Sequence, residues 1–168
     1  PRLQFSDSEK RLDITIRIEE GTPYRIASVV LEADESTDPH IQALTTPDIL
    51  KKLLPLRVGD VYQQVQIAQK QRQAKLHYQD LGHAKVSVED RSQLSPDTHE
   101  VAVVLRVHLG PPVYVGRIQI VGNHKTRDRV FRREFELLEG RLFNRTQLEQ
   151  ALARIKQLGF FESVDFDT

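Results

Sequence analysis

The chain has 168 residues, which is enough for one domain or for two small ones. Its 24 basic and 24 acidic side chains balance, so the net charge gives no argument for a nucleic acid or an anionic membrane as partner. Cysteine is absent, which excludes a disulfide framework and a thiolate metal site.

The N-terminal residues alternate between apolar and polar side chains, as in a β-hairpin with one buried face. Leu3 and Phe5 precede a polar turn. Four further apolar residues then occupy every second position: Leu12, Ile14, Ile16 and Ile18. The chain opens on Pro1, has no signal peptide and lacks an apolar run of the roughly 20 residues that cross a membrane. We therefore expect a piece of a longer protein.

A strand and a short helix are predicted next. The strand is marked by three apolar residues: Ile26, Val29 and Leu31. Thr46 and Pro47 begin the helix as N-cap and first helical residue, where the missing N–H of proline costs nothing. Pro55 ends it, because proline disfavours the helical conformation of the residue before it.

A longer helix over residues 63–81 follows, with apolar side chains at helical spacing on one face. Gly82 ends this helix. Ala84, Val86 and Val88 then alternate as a strand. The almost wholly apolar run at residues 101–105 predicts a central strand that is covered on both faces.

The last third of the chain gives a strand near Tyr114 and a helix from about residue 127 to 139. Asn144, with Gln147 three residues later, is typical of the cap that begins a further helix at residues 146–158. Three residues mark a final, aromatic-rich strand: Phe161, Val164 and Phe166.

Landmarks recur between the two halves and predict a β-α-α-β-β repeat. The matching segments are Gly59-x-x-Tyr62 with Gly140-x-x-Phe143, and Leu81-Gly82 with Leu158-Gly159. We expect the end of a preceding copy at residues 1–20, a complete copy at 21–110 and a copy at 111–168 that lacks its last strand.

The second copy resembles the POTRA (polypeptide-transport-associated) repeat of BamA-type outer-membrane protein assembly factors. The residues that carry the resemblance are Tyr114, Ile118, Gly122-Asn123, Gly140, Phe143, Leu158-Gly159-Phe160-Phe161 and Val164. The second copy is similar to the membrane-proximal repeat and the first to the penultimate one. The resemblance implies an α+β fold, with each module a three-stranded mixed sheet, last strand central, covered by two helices.

The resemblance also implies the periplasmic portion of a bacterial outer-membrane protein whose C-terminal transmembrane β-barrel is absent here. Such an arm has no enzymatic activity and no cofactor. It docks a BamD-like accessory lipoprotein, for which the matching positions are Arg132 and Glu139, and it receives unfolded outer-membrane proteins as clients.

A central last strand leaves the second strand of each copy at an edge, where an extended client could add by main-chain hydrogen bonds. We expect these edges at residues 84–89 and 161–167. The candidate residues are Ala84, Val86 and Val88 in the first copy and Val164 and Phe166 in the second.

Other interpretations stay open at this point. The arginines near Arg132 could form a solvated helix face, and Glu139 could simply bond the glycine turn. The chain could instead be the arm of a related translocation-and-assembly or two-partner secretion barrel. A KH-like nucleic-acid module is disfavoured by the neutral charge and by the lack of a Gly-x-x-Gly clamp. The six histidines have no metal-ligand spacing.

Overall fold

The computed structural model describes residues 2–6, 11–123, 126–135, 139–159 and 164; of residues 2–6 and 11–15 it describes the backbone. Strands β1 (Arg2–Ser6) and β2 (Arg11–Thr15) pair antiparallel, with Leu3 opposite Ile14. The structure confirms the N-terminal hairpin up to Thr15, but Ile16 and Ile18, predicted on its buried face, lie beyond β2 and are exposed. Within the described ranges, no helix is long and apolar enough to cross a membrane.

Residues 21–110, called the sheet unit below, form a mixed sheet covered by helices. Its elements in chain order are β3 (Arg25–Ala33), α1 (Pro39–Leu44), α2 (Pro47–Leu53), α3 (Gln64–Asp80), β4 (Ser87–Asp90), β5 (Gln93–Ser95) and β6 (Glu100–His108). Strand β6 lies in the centre, parallel to β3 and antiparallel to both β4 and β5. The predicted mixed sheet with its last strand central is confirmed, and it has four strands rather than three because β4 and β5 pair with β6 one after the other.

The core of the sheet unit lies between the sheet and its helices. Every second side chain of β6 is fully buried: Val101, Val103, Leu105 and Val107. The face of α3 that packs on them carries Ile67, Ala74 and Tyr78, spaced by seven and four residues as helical periodicity requires. The hydroxyl of Tyr78 donates to the carbonyl of Leu44 at 3.0 Å, and burial raises the pKa of Tyr78 to about 12.

The sequence interpretation missed helix α1. Its signal is Asp38-Pro39, in which the Asp38 carboxylate accepts from the N–H of His40 at 2.8 Å and the proline is the first helical residue. Thr46 is the N-cap of α2 as predicted, but its side chain makes no capping hydrogen bond.

Residues 111–168, called the C-terminal unit below, contain α4 (Asp128–Arg132) and α5 (Arg145–Gln157). The Asn144 side chain accepts from the N–H of Gln147 at 2.8 Å, which confirms the predicted cap of α5. Helix α4 is much shorter than predicted. The N–H groups of Glu134 and Phe135 turn to carbonyls three residues back, which tightens the chain and ends the helix.

The predicted first strand of the C-terminal unit pairs only through a bridge between Tyr114 and Leu142 in the described part of the chain. Its counterpart β3, by contrast, pairs with β6 from Arg25 to Ala33. Phe161 and Phe166, in the predicted last strand, lie outside the described residues, and Val164 has no regular structure.

Candidate functional site

Arg132 and Glu139, the predicted lipoprotein contacts, are side by side in the structure. Arg132 is the last residue of α4, and its Nη1 lies 3.6 Å from Oε1 of Glu139. Its Nε bonds Oδ2 of Asp128 one turn earlier at 2.6 Å. This hydrogen bond, and to a smaller extent the charge of Glu139, raises the pKa of Arg132. Both side chains are about half exposed, at 48% and 49%.

The same two side chains hold the backbone of Ile118. Oε1 of Glu139 accepts from the Ile118 N–H at 2.9 Å, and Nη2 of Arg132 donates to the Ile118 carbonyl at 3.1 Å. Next to them, the N–H of Gly140 donates to the carbonyl of Val115 at 2.7 Å. The pair therefore joins α4 to the first segment of the C-terminal unit, and this structural role comes in addition to any role in docking.

The arginines around α4 do not form a uniformly positive face. Arg132 bonds Asp128, and Arg133 bonds Glu134 at 3.0 Å. Since these ion pairs cancel much of the local charge, a partner would meet a patch of mixed sign rather than a basic stripe.

The edge of the sheet unit starts later than predicted and is divided into β4 and β5. Strand β4 starts at Ser87, because Ala84 lies in the preceding turn and Val86 is buried in the core at 2% exposure. Val88 lies in β4 and is half-buried. Arg91 and Ser92 then separate β4 from β5.

The interruption at Arg91 and Ser92 leaves the register unchanged, with Asp90 opposite Leu105 before it and Gln93 opposite Ala102 after it. The N–H of Arg91 still donates to the carbonyl of Val104 at 2.8 Å. However, the Val104 N–H bonds Oγ of Ser92 at 3.3 Å. A side chain has thus replaced one main-chain acceptor, which interrupts regular pairing at this point of the edge.

The two units meet at the last residue of α3. Oδ1 of Asp80 accepts from the N–H of Thr146 at 2.8 Å, and Oδ2 accepts from its hydroxyl at 2.7 Å. Nδ2 of Asn144 donates to the Asp80 carbonyl at 3.1 Å. A carboxylate at the C-terminus of its own helix is disfavoured by the helix dipole, but at the N-terminus of α5 it is favoured. Asp80 therefore stabilises the N-terminus of α5 in the C-terminal unit.

In the described ranges, no three His, Asp or Glu side chains gather in a way that could hold a metal ion. His83, which is fully buried, donates from Nδ1 to the carbonyl of Gly110 at 2.9 Å. That contact ties the end of α3 to the link between the units.

Comparison with known proteins gives the family. The POTRA family model, described as a surface antigen variable number repeat, matches residues 42–110 and 113–168. The chain belongs to the POTRA family. Among curated proteins, it is 28% identical over 165 residues to the outer membrane protein assembly factor BamA of Neisseria meningitidis and 25% identical over 166 residues to that of Nitratidesulfovibrio vulgaris. Each alignment covers 98% of this chain and 20% of the relative.

Solved POTRA structures have the same fold. The crystal structure of Haemophilus influenzae BamA POTRA3-5 matches with a TM-score of 0.74 at 23% identity, over 98% of this chain and 62% of that one. BamA from Haemophilus ducreyi lacking POTRA domains 1-3 matches with a TM-score of 0.70 at 22% identity, over 86% of this chain and 26% of that one. POTRA domains of BamA lie in the periplasm, in agreement with the predicted location of this chain.

Proposed function

We propose that this chain is a non-enzymatic periplasmic scaffold of the machinery that assembles outer-membrane β-barrel proteins. The observation that carries the proposal is the pair of consecutive POTRA matches in a chain that is similar to BamA over 98% of its length. In this proposal residues 1–20 end one repeat, residues 21–110 form the penultimate repeat and residues 111–168 belong to the membrane-proximal one. The similarity to BamA favours assembly over export by a related barrel.

A BamD-like lipoprotein docks at Arg132 and Glu139 in this proposal. The hydrogen bond from Ile118 to Oε1 of Glu139 fixes the carboxylate and leaves Oε2 for a cation of the partner, since a carboxylate accepts about four hydrogen bonds. Arg132 is fixed in the same way, by Asp128 and by the Ile118 carbonyl. Both groups are therefore preorganised, which lowers the entropy lost on binding.

The docking role and the structural role of Glu139 can be separated by one substitution. Glu139→Gln keeps an acceptor for the Ile118 N–H and removes the charge. We expect the variant to stay folded and to bind the purified BamD-like lipoprotein of the same bacterium at least tenfold more weakly, as for a lost charge pair of about 1.5 kcal/mol or more. Glu149→Gln, an equally exposed glutamate of α5 that pairs with Arg145, is the matched control. Equal binding by both variants would remove Glu139 from the interface.

Unfolded outer-membrane proteins bind by strand addition in this proposal. Strands β4 and β5 lie at the edge of the sheet, and their outward main-chain groups accept any extended chain regardless of its side chains. NMR shifts of residues 87–95 during titration with an extended peptide test the proposal. If these amides do not move while others do, the clients bind elsewhere.

A further inference from the structure

Two glutamines of α3 contact β4 and the turn that precedes it. Nε2 of Gln71 donates to the carbonyl of Val88 at 3.3 Å. Eight residues later and on the same side of the helix, Nε2 of Gln79 donates to the carbonyl of Ala84 at 3.2 Å. The segment from Ala84 to Val88 is thus held from one side by amide groups of α3.

The carbonyl of Val88 points away from the sheet. In an antiparallel pair, successive residues direct their main-chain groups alternately toward and away from the partner strand. Arg91 bonds β6 through Val104, so Glu89 also faces β6, whereas Val88 and Asp90 face outward. The residue opposite Val88 is Val107, and its carbonyl accepts from Asp34 on the far side of β6, as this alternation requires.

Gln71 therefore occupies an acceptor that an added strand would use. A second outward group is occupied in a similar way, because the N–H of Ser92 donates to Oδ1 of Asp90 at 2.9 Å. Side-chain amides and carboxylates in these positions satisfy edge groups that would otherwise invite pairing with other chains. The hydrogen bond of Gln71 is long and joins neutral groups, so it is a weak one.

We propose that Gln71 is a displaceable gate on the client-binding edge of the sheet unit. An arriving extended segment donates its own N–H to the Val88 carbonyl, and the Gln71 amide moves out into water. The gate lowers the affinity for every strand and so keeps client binding reversible. This inference rests on strand addition at β4 and β5 as the proposed function.

The test is an NMR titration of the full chain with a synthetic peptide of about ten residues, alternating valine and threonine with lysines at both ends. Gln71→Met keeps the length and helix propensity of the side chain but removes the donor. Gln73→Met, on the opposite and exposed side of α3, is the matched control. We expect Gln71→Met to bind the peptide roughly two- to tenfold more tightly than the unmodified chain, and Gln73→Met to bind it equally well.

In the unmodified chain, the side-chain amide signals of Gln71 should shift on peptide binding and those of Gln73 should not. If the peptide shifts residues 87–95 but Gln71→Met binds no more tightly than Gln73→Met, the gate is refuted and strand addition stands. If residues 87–95 do not respond in any of the three proteins, strand addition at this edge is refuted, and the gate with it.

Discussion

The sheet unit and the C-terminal unit both have a glycine turn followed by their longest helix but differ in the pairing described for their first strands. Strand β3 is paired with β6 from Arg25 to Ala33, whereas the described part of the chain gives residues 113–123 one bridge, at Tyr114. Helix α5 nevertheless forms, with its own cap at Asn144. The cap of α5 thus comes from neighbouring residues, whereas the pairing of β3 depends on a strand about 75 residues later in the chain.

The largest expected effect is on the free energy of unfolding of the sheet unit, through its central strand β6. Leu105 is fully buried in β6, so Leu105→Ala should cost about 2–5 kcal/mol in the free energy of unfolding. Urea unfolding followed by circular dichroism measures the loss, and amide hydrogen exchange assigns it to a unit. Exchange should accelerate throughout the sheet unit and less in α5. Leu94→Ala, at an exposed position of β5, is the control, and an equal loss there would contradict the central role of β6.

The next effect concerns the contact between the units. Asp80→Ala removes two hydrogen bonds to Thr146, and we expect a loss of about 1–2 kcal/mol that falls mainly on α5. Residual dipolar couplings should also report a wider range of orientations between the units. Thr146→Val, which removes only the hydroxyl, should reproduce part of the effect. If the couplings of Asp80→Ala equal those of the unmodified chain, the orientation is set by other contacts.

A smaller effect tests whether α5 is specified by its own cap. Asn144→Ala should destabilise α5 by about 1 kcal/mol, because the N–H of Gln147 loses its acceptor. Thr46→Ala should cost clearly less in α2, since the Thr46 side chain makes no capping hydrogen bond. Hydrogen exchange in the first turn of each helix compares the two. Asn144→Ser, which keeps an acceptor, should recover most of the loss.

The smallest effect depends on pH. Asp34 follows β3 and bonds His108 and, at 2.9 Å, Arg106. The hydrogen bond with His108 is the main cause that lowers the pKa of Asp34 below its usual value of 3.8. A carboxylate whose pKa is lowered by folding stabilises the folded state above pH about 4, and this stabilisation is lost as the pH falls through the pKa in the folded state. The pair is partly exposed, so we expect less than about 1 kcal/mol. In Asp34→Asn the loss of stability below pH about 4 should be smaller by that amount.

Local patterns in the sequence predicted much of this fold. The alternation at β2, the apolar run at β6 and the capping pair at Asn144 each depend on neighbouring residues, and the structure confirms the three elements. The limits of β4 and α4 could not be predicted in the same way. Val86 is drawn into the core below α3 and so precedes the strand, and α4 tightens and ends after Arg132.

The candidate site was only partly predictable for a related reason. The resemblance identified Arg132 and Glu139, but nothing in their spacing revealed that both bond Ile118, which lies 14 and 21 residues earlier. The contacts of Gln71 and Asp80 also join distant parts of the chain. For Asp80 a signal was present, since an acidic residue at the end of a helix opposes the helix dipole.

The position of Asp80 makes α3 part of both units. Its apolar face, with Ile67, Ala74 and Tyr78, lies in the core of the sheet unit, and its last residue bonds the first turn of α5. A loss of packing in that core would therefore also loosen the carboxylate that stabilises the N-terminus of α5, so the stabilities of the two units are thermodynamically coupled.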